Sequence, residues 1–209
     1  MAVTLNASTT AGLVQTADTS GVLALQSNGT TALSTSGANV TIAGTLTTAA
    51  QSIAKASLPT GSVLQVVNAT YSTYSSSATT IPDDNTIPQN TEGTEIITLA
   101  ITPTSATSKL LITSVVFATS GSGGSIICNA LFQDTTANAL AATSTTAGAG
   151  GWMITDVMQH YMTSGTTSST TFKIRAGGHV GTTYFNGNTG AQLYNGTGFC
   201  SLTIMEIAA

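Results

Sequence analysis

Beyond residue 62 the chain repeatedly alternates apolar with hydroxyl-bearing residues at a period of two, between clusters of Gly, Pro, Asn and Ser. Such alternation places successive side chains on opposite faces of a strand. In Glu95–Thr102, Ile97, Leu99 and Ile101 fall on one face and Thr98 and Thr102 on the other, until Pro103 stops the run. Lys109–Thr119 is apolar on both faces, with Leu110, Ile112 and Val116 on one and Leu111, Val115 and Phe117 on the other, as a central strand would be. Thr171–Arg175 buries Phe172 and Ile174 and exposes Lys173 and Arg175. Further runs span Ser62–Tyr74, Ser125–Phe132, Trp152–Met162 and Phe199–Ile207, and minor strands are expected near Leu140, Tyr184 and Leu193. Eight to ten short strands separated by turns predict a β-sandwich of jelly-roll type, with Phe117 and Phe172 in its core.

The first fifty residues follow another rule. They hold no aromatic residue, no base and one acid, Asp18. Three quasi-repeats (Thr19–Leu25, Ser27–Leu33, Ser36–Ile42) each set a short apolar alternation after a polar or Gly-containing turn, and Asn28-Gly29 is a strong hairpin signal. These repeats lack the large side chains needed for a core and need stacking or interchain pairing to become stable. Thr47–Ser57 is the best helix candidate because it is Ala-rich, and Leu58-Pro59-Thr60-Gly61 ends it. The expected organisation is an N-terminal arm or stem over 1–57 and a sandwich head over 58–209.

Composition sharpens this. Only 6% of the 209 residues are charged, roughly a third are Ser or Thr, and 41% are hydrophobic. An ordinary domain is about a quarter charged, and charge on a monomer's surface opposes association. An uncharged, hydroxyl-rich surface is most simply covered by further copies of the chain. Net charge is -4, and Lys55, Lys109, Lys173 and Arg175 are too few and scattered to neutralise a nucleic-acid backbone. No apolar run reaches the ~18 residues of a membrane span. The first residues have neither the basic start nor the apolar stretch of a secretory signal. Cys128 and Cys200 read as two free, buried thiols, in keeping with folding in a bacterial cytoplasm.

Three stretches carry a family likeness: Gly61-Ser62-Val63-Leu64-Gln65-Val66-Val67, Ile101-Thr102-Pro103-Thr104-Ser105 leading into Ser108-Lys109-Leu110-Leu111-Ile112, and the terminal Leu202-Thr203-Ile204-Met205-Glu206-Ile207-Ala208. They resemble the C-terminal domains of tailed-bacteriophage virion fibres and related structural proteins. The segment Ala17–Gly29 is similar to the stem and attachment segments that precede such domains. The resemblance implies a non-enzymatic virion protein assembled in the bacterial cytoplasm: a homotrimeric tail fibre, spike or head fibre. Residues 1–57 would attach to other virion proteins (capsid, portal or tail), and the head would face outward, where a host-surface glycan is a possible ligand. The alternative is a capsid decoration protein that reinforces the shell.

Chemistry-bearing residues are sparse. Asp156 and His160 share a strand face and Ser164 follows, but no nucleophile elbow accompanies them. His160 and His179 lack short-spaced metal-site partners. Asp83 and Asp84, with Glu92 and Glu95 nearby, lie by a Pro-rich loop whose oxygens could hold calcium or simply face solvent. No cofactor is implied. The Gly-rich stretch 177–198 offers a ligand site: Tyr184, Phe185, Asn186 and Tyr194, with Asn188, Gln192 and Asn195, combine rings with amides as uncharged sugars require. The plainer reading is that these rings anchor the loop to the core.

Overall fold

The computed structural model describes residues 22–27, 30–36, 39–42, 55, 58–148 and 151–209. The chain divides into two compact units, Met1–Ser52 and Ile53–Ala209. In the first, β1 (Val22–Ser27), β2 (Thr30–Ser36) and β3 (Asn39–Ile42) form an antiparallel meander. Leu25, Val40 and Ile42 are exposed. The Asn28-Gly29 turn lies outside the described residues, as does the helix expected over 47–57 apart from Lys55.

The second unit holds β4 (Val63–Tyr71), β5 (Ser75–Ser77), β6 (Thr94–Ile101), β7 (Lys109–Ser120), β8 (Ile126–Gln133), β9 (Ala141–Thr146), β10 (Ile154–Thr163), β11 (Thr170–Gly178), β12 (Thr183–Phe185) and β13 (Cys200–Ile207). Its eight long strands pair from the outside inward: β4 with β13, β6 with β11, β7 with β10, β8 with β9. β13 also joins β7, and β11 joins β8. The sheets therefore read β4-β13-β7-β10 and β6-β11-β8-β9. That is one long antiparallel hairpin wrapped into two sheets, the jelly roll. Short β12 and β5 extend the first sheet beyond the end of β13. The all-β sandwich expected from the alternation is what forms.

The core lies between the sheets. β7 contributes Leu110, Ile112, Val116 and Ala118, β13 contributes Leu202 and Ile204, and β11 and β8 contribute Phe172, Ile174, Ile127 and Leu131, all essentially without solvent contact. Phe117 is a correction. It belongs to the odd-numbered set of β7, with Leu111 and Val115, and is half-buried on the outer face of the first sheet. Two apolar faces on one strand gave no means of choosing the inner one. β6 carries a bulge opposite Ile174–Arg175, where the pairing skips Ile96, so Ile96 and Ile97 are both buried. The single run expected over Ser62–Tyr74 is broken after Tyr71, and the region of Leu193 leads into a 3-10 turn (Tyr194–Gly196) instead of a strand.

Buried carboxylates tie both edges of the sandwich. Where β4 approaches β6, Glu206 accepts hydrogen bonds from Gln65 Nε2 (2.6 Å), Thr104 N (2.7 Å), Thr104 Oγ1 (3.1 Å) and Ser105 N (3.3 Å). Where β9 approaches β10, Asp156 accepts from Thr143 Oγ1 (2.6 Å), Thr145 Oγ1 (2.6 Å) and Asn129 Nδ2 (3.1 Å). The second sheet is also covered on its outer face. Residues 78–93 cross it as a strap, and Ile81 packs on Ala130 and Phe132. Gly93 makes the crossing possible: its φ is +60°, and a Cβ there would lie 2.7 Å from Ile81 Cδ1.

Candidate functional site

The head has two distinct ends. At one, the chain comes in from residue 58: Gly61 N donates to Ala208 O (2.8 Å), and Ile207 stands opposite both Val63 and Lys109. At the other, Cys200 stands opposite Tyr71 and Thr183 opposite Ser120. The nine residues of β4 separate them by about 30 Å.

Near the far end a shallow groove of about 370 Å³ opens on the outer face of the first sheet. Its floor is Val115, Phe117, Thr155 and Ser201, and its walls are Tyr194 and Phe199. Three consecutive residues with positive φ, Tyr194 (+53°), Asn195 (+50°) and Gly196 (+82°), turn the loop over the sheet. A bulky residue in that region is an outlier that its surroundings must hold in place. Here the Tyr194 ring stacks on Phe117 with centroids 6.2 Å apart, yet stays 68% exposed. Gly198 allows the loop to pass, because a Cβ there would meet Phe117 Cε1 at 2.8 Å. Three rings and the hydroxyls of Thr155, Thr197 and Ser201 surround the groove, and no ionisable acid or base lines it. The chemistry such a surface offers is ring contact and neutral hydrogen bonding.

Of the four residues singled out by sequence, only Tyr194 stands in this groove. Tyr184 is half-buried and stacks on Tyr74 (6.4 Å, 12°). Phe185 and Asn186 are corrections: both are completely buried and cannot touch a ligand. Phe185 belongs to the core. Asn186 Nδ2 donates to the carbonyls of Tyr71 and Thr73 (both 2.9 Å), and Gln192 Nε2 donates to Ser72 O (2.9 Å). These amides satisfy the bend between β4 and β5. Asn188 Oδ1 likewise accepts from Gly190 N and Ala191 N. Sequence reasoning missed Phe117 and Phe199 as groove residues, and also Trp152, which is 68% exposed at the same end beside Thr119. The alternation that buries Cys200, Leu202 and Ile204 was a usable signal for an outward Phe199.

The remaining candidates are held by other partners. Asp156 belongs to the β9–β10 tie, and Ser164 Oγ donates to Ser105 O (2.6 Å), so neither is offered to His160. His179 Nδ1 accepts from Ile126 N (2.9 Å). The acids around the Pro-rich loop do not converge. Asp84 accepts from Thr86 N (2.8 Å), and the Thr86 hydroxyl and amide hold its carboxyl below the usual carboxylate range. Glu92 accepts from Gln89 N (2.9 Å), and Glu95 lies 3.6 Å from both Lys173 and Arg175. Among the described residues, no three acidic, His or Cys side chains gather as a metal site would require. Cys200 is buried and Cys128 half-buried, both are free, and burial pushes each thiol up to about 11. At neutral pH both are therefore protonated and poor nucleophiles.

No protein-family model matches the chain, and no curated protein matches it. Among solved structures it is similar to the structure of infectious bursal disease virus Gt strain, with 14% identity, 69% of this chain and 38% of that chain covered, and a TM-score of 0.36. The Gx strain of that virus gives 14% identity, 69% and 37% coverage and a TM-score of 0.33. The crystal structure of the infectious bursal disease virus VP2 subviral particle gives 12%, 69%, 38% and 0.33. The chain thus spans well under half the length of these neighbours. Likeness at this level says nothing about what this chain does.

Proposed function

We propose that this chain is a non-enzymatic structural protein of a tailed-phage particle: a homotrimeric fibre or spike. Residues 1–57 attach it to the particle, and the jelly roll projects outward to meet an uncharged host-surface glycan. The observation that carries this reading is the polarity of the head. The chain arrives at one end, and the exposed aromatic groove lies about 20–25 Å along the strands toward the other. Two further features support it. The surface is nearly free of charge, as a subunit covered by its own copies would be. All three stretches that resemble phage virion proteins, around Gln65, Thr104 and Glu206, meet in one tie that builds the head.

Gold labelling of the protein on intact particles tests the proposal. A few copies clustered at the tail or at fibre tips are expected. Dense, even labelling over the head would replace the fibre reading with capsid decoration, and absence from purified particles would remove the virion role.

A further inference from the structure

The outer face of the first sheet is unlike that of the second. The strap over 78–93 covers the second sheet, whereas four strands of the first expose their outward side chains in ordered rows. Pairing registers define one row as Val66, Met205, Leu111 and Tyr161, and the next as Asn68, Thr203, Thr113 and Gln159. Val115 and Val157 follow beyond them. Val66 is 53% exposed, Val157 56% and Tyr161 58%.

We propose that this face is turned toward the rotation axis of the assembly and buried against further copies of the chain. The inference rests on the homotrimer reading above and names the surface that makes it. Charge is the first argument. A rotation axis brings identical side chains together, so a charge on such a face would meet its own like. Between the Val66–Tyr161 row and the Val115–Val157 row the face carries no ionised side chain, and Lys109, at the end where the chain comes in, lies outside it. The second row supplies amides and hydroxyls, which act as both donor and acceptor and so can pair with themselves across an axis.

Extent and exposure are the second argument. Four strands about 4.8 Å apart, over the ~14 Å from the Val66–Tyr161 row to the Val115–Val157 row, give an uncharged patch of roughly 19 by 14 Å, the centre of an interface and not the whole ~800 Å² per partner that a stable one buries. Its apolar members Val66, Val157 and Tyr161 are each more than half exposed, and clustered exposed apolar side chains mark interaction surfaces. The Tyr194–Phe199 loop rises over Phe117 and bounds the patch at the Val115 row, where Val115 and Ser201 already form part of the groove floor.

Sedimentation of the full-length protein at micromolar concentration tests this. Wild type should sediment as an assembly of 20.9 kDa chains, and the double variant Val66→Glu/Tyr161→Glu should lose the assembly peak while keeping its circular dichroism spectrum. Both positions are already solvent-exposed, so their substitution leaves the core intact. If wild type is itself monomeric, the homotrimer reading fails together with this proposal. If wild type and variant both remain assembled, the homotrimer stands and this face is not its interface. Benzoylphenylalanine placed at position 161 gives an independent readout. A photoproduct of twice the chain mass, linked to the same face of another copy, is expected. A link within one chain to residues 1–57 would show that the arm covers the face, and would overturn the proposal.

Discussion

Glu206 is the residue on which the head's construction turns. It is completely buried and, among the described residues, forms no ion pair, a placement that costs several kcal/mol unless hydrogen bonds replace water. Burial would push its carboxyl up. The surrounding donors (Gln65, Thr104 and the Ser105 amide) outweigh that and hold it below its ordinary value of 4.5. The folded state therefore prefers the ionised form. Its contribution to stability is complete at neutral pH and is lost as pH falls below 4.5 and through the lowered folded value. Replacing Glu206 by Gln turns an acceptor toward amide donors that it can satisfy only in part. Such a change should cost about 1–3 kcal/mol at pH 7. It should also flatten the acid limb of the stability curve, because the group that must be protonated is gone. Chemical denaturation of both proteins between pH 3 and 7 measures this, and parallel curves would show that Glu206 does not couple folding to protonation.

At the scale of the strand, inner and outer aromatics should differ sharply in what they contribute. Phe172 on β11 is fully enclosed between the sheets, so its truncation to Ala leaves a cavity and should cost roughly 3–5 kcal/mol. Phe117 on β7 touches the core from the outer face and keeps part of its surface in water, so Phe117→Ala should cost clearly less. Equal shifts in melting temperature would mean that the outer face is packed as tightly as the core. The same contrast explains what was legible in the sequence. Alternation located β6, β8, β11 and β13, because a half-buried strand must repeat every two residues, whereas β7 and β10 stood out only as apolar runs. It could not choose the inner face of β7, where Leu110 and Leu111 are equally apolar. The order of the sheets follows from pairing between residues as distant as Gln65 and Glu206, which no local pattern encodes. The loop after β12 was read by composition, as rings and amides free to meet a ligand. Asn186 and Gln192 are instead committed to the carbonyls of 71–73, a commitment that exists only once β4 and β5 lie beside them. Tyr194 remained in the site because its backbone turns it outward.

For the whole molecule the proposal divides the tasks between two parts of the chain, attachment at residues 1–57 and recognition at the aromatic groove of the head. Tyr194 makes this testable because its ring is exposed and bears on the fold only through one stack on Phe117. Tyr194→Ala should reduce adsorption of particles or purified protein to host cells several-fold, since a stacking ring contributes about 0.5–1.5 kcal/mol beyond its area. Thermal stability should change little. Tyr184→Ala, which removes a ring packed on Tyr74 outside the groove, serves as the comparison and should leave adsorption near wild type. Salt gives a second handle. A groove lined by rings and hydroxyls, with no ionisable acid or base, should bind almost equally well at 20 and 200 mM salt. Attachment through Lys173 and Arg175 on the other sheet would instead weaken as the Debye length contracts. If Tyr194→Ala adsorbs normally, the groove is not the recognition surface. Strong salt dependence would shift attention to that charged patch, where Glu95 already lies 3.6 Å from both cations and a ligand would have to compete with it.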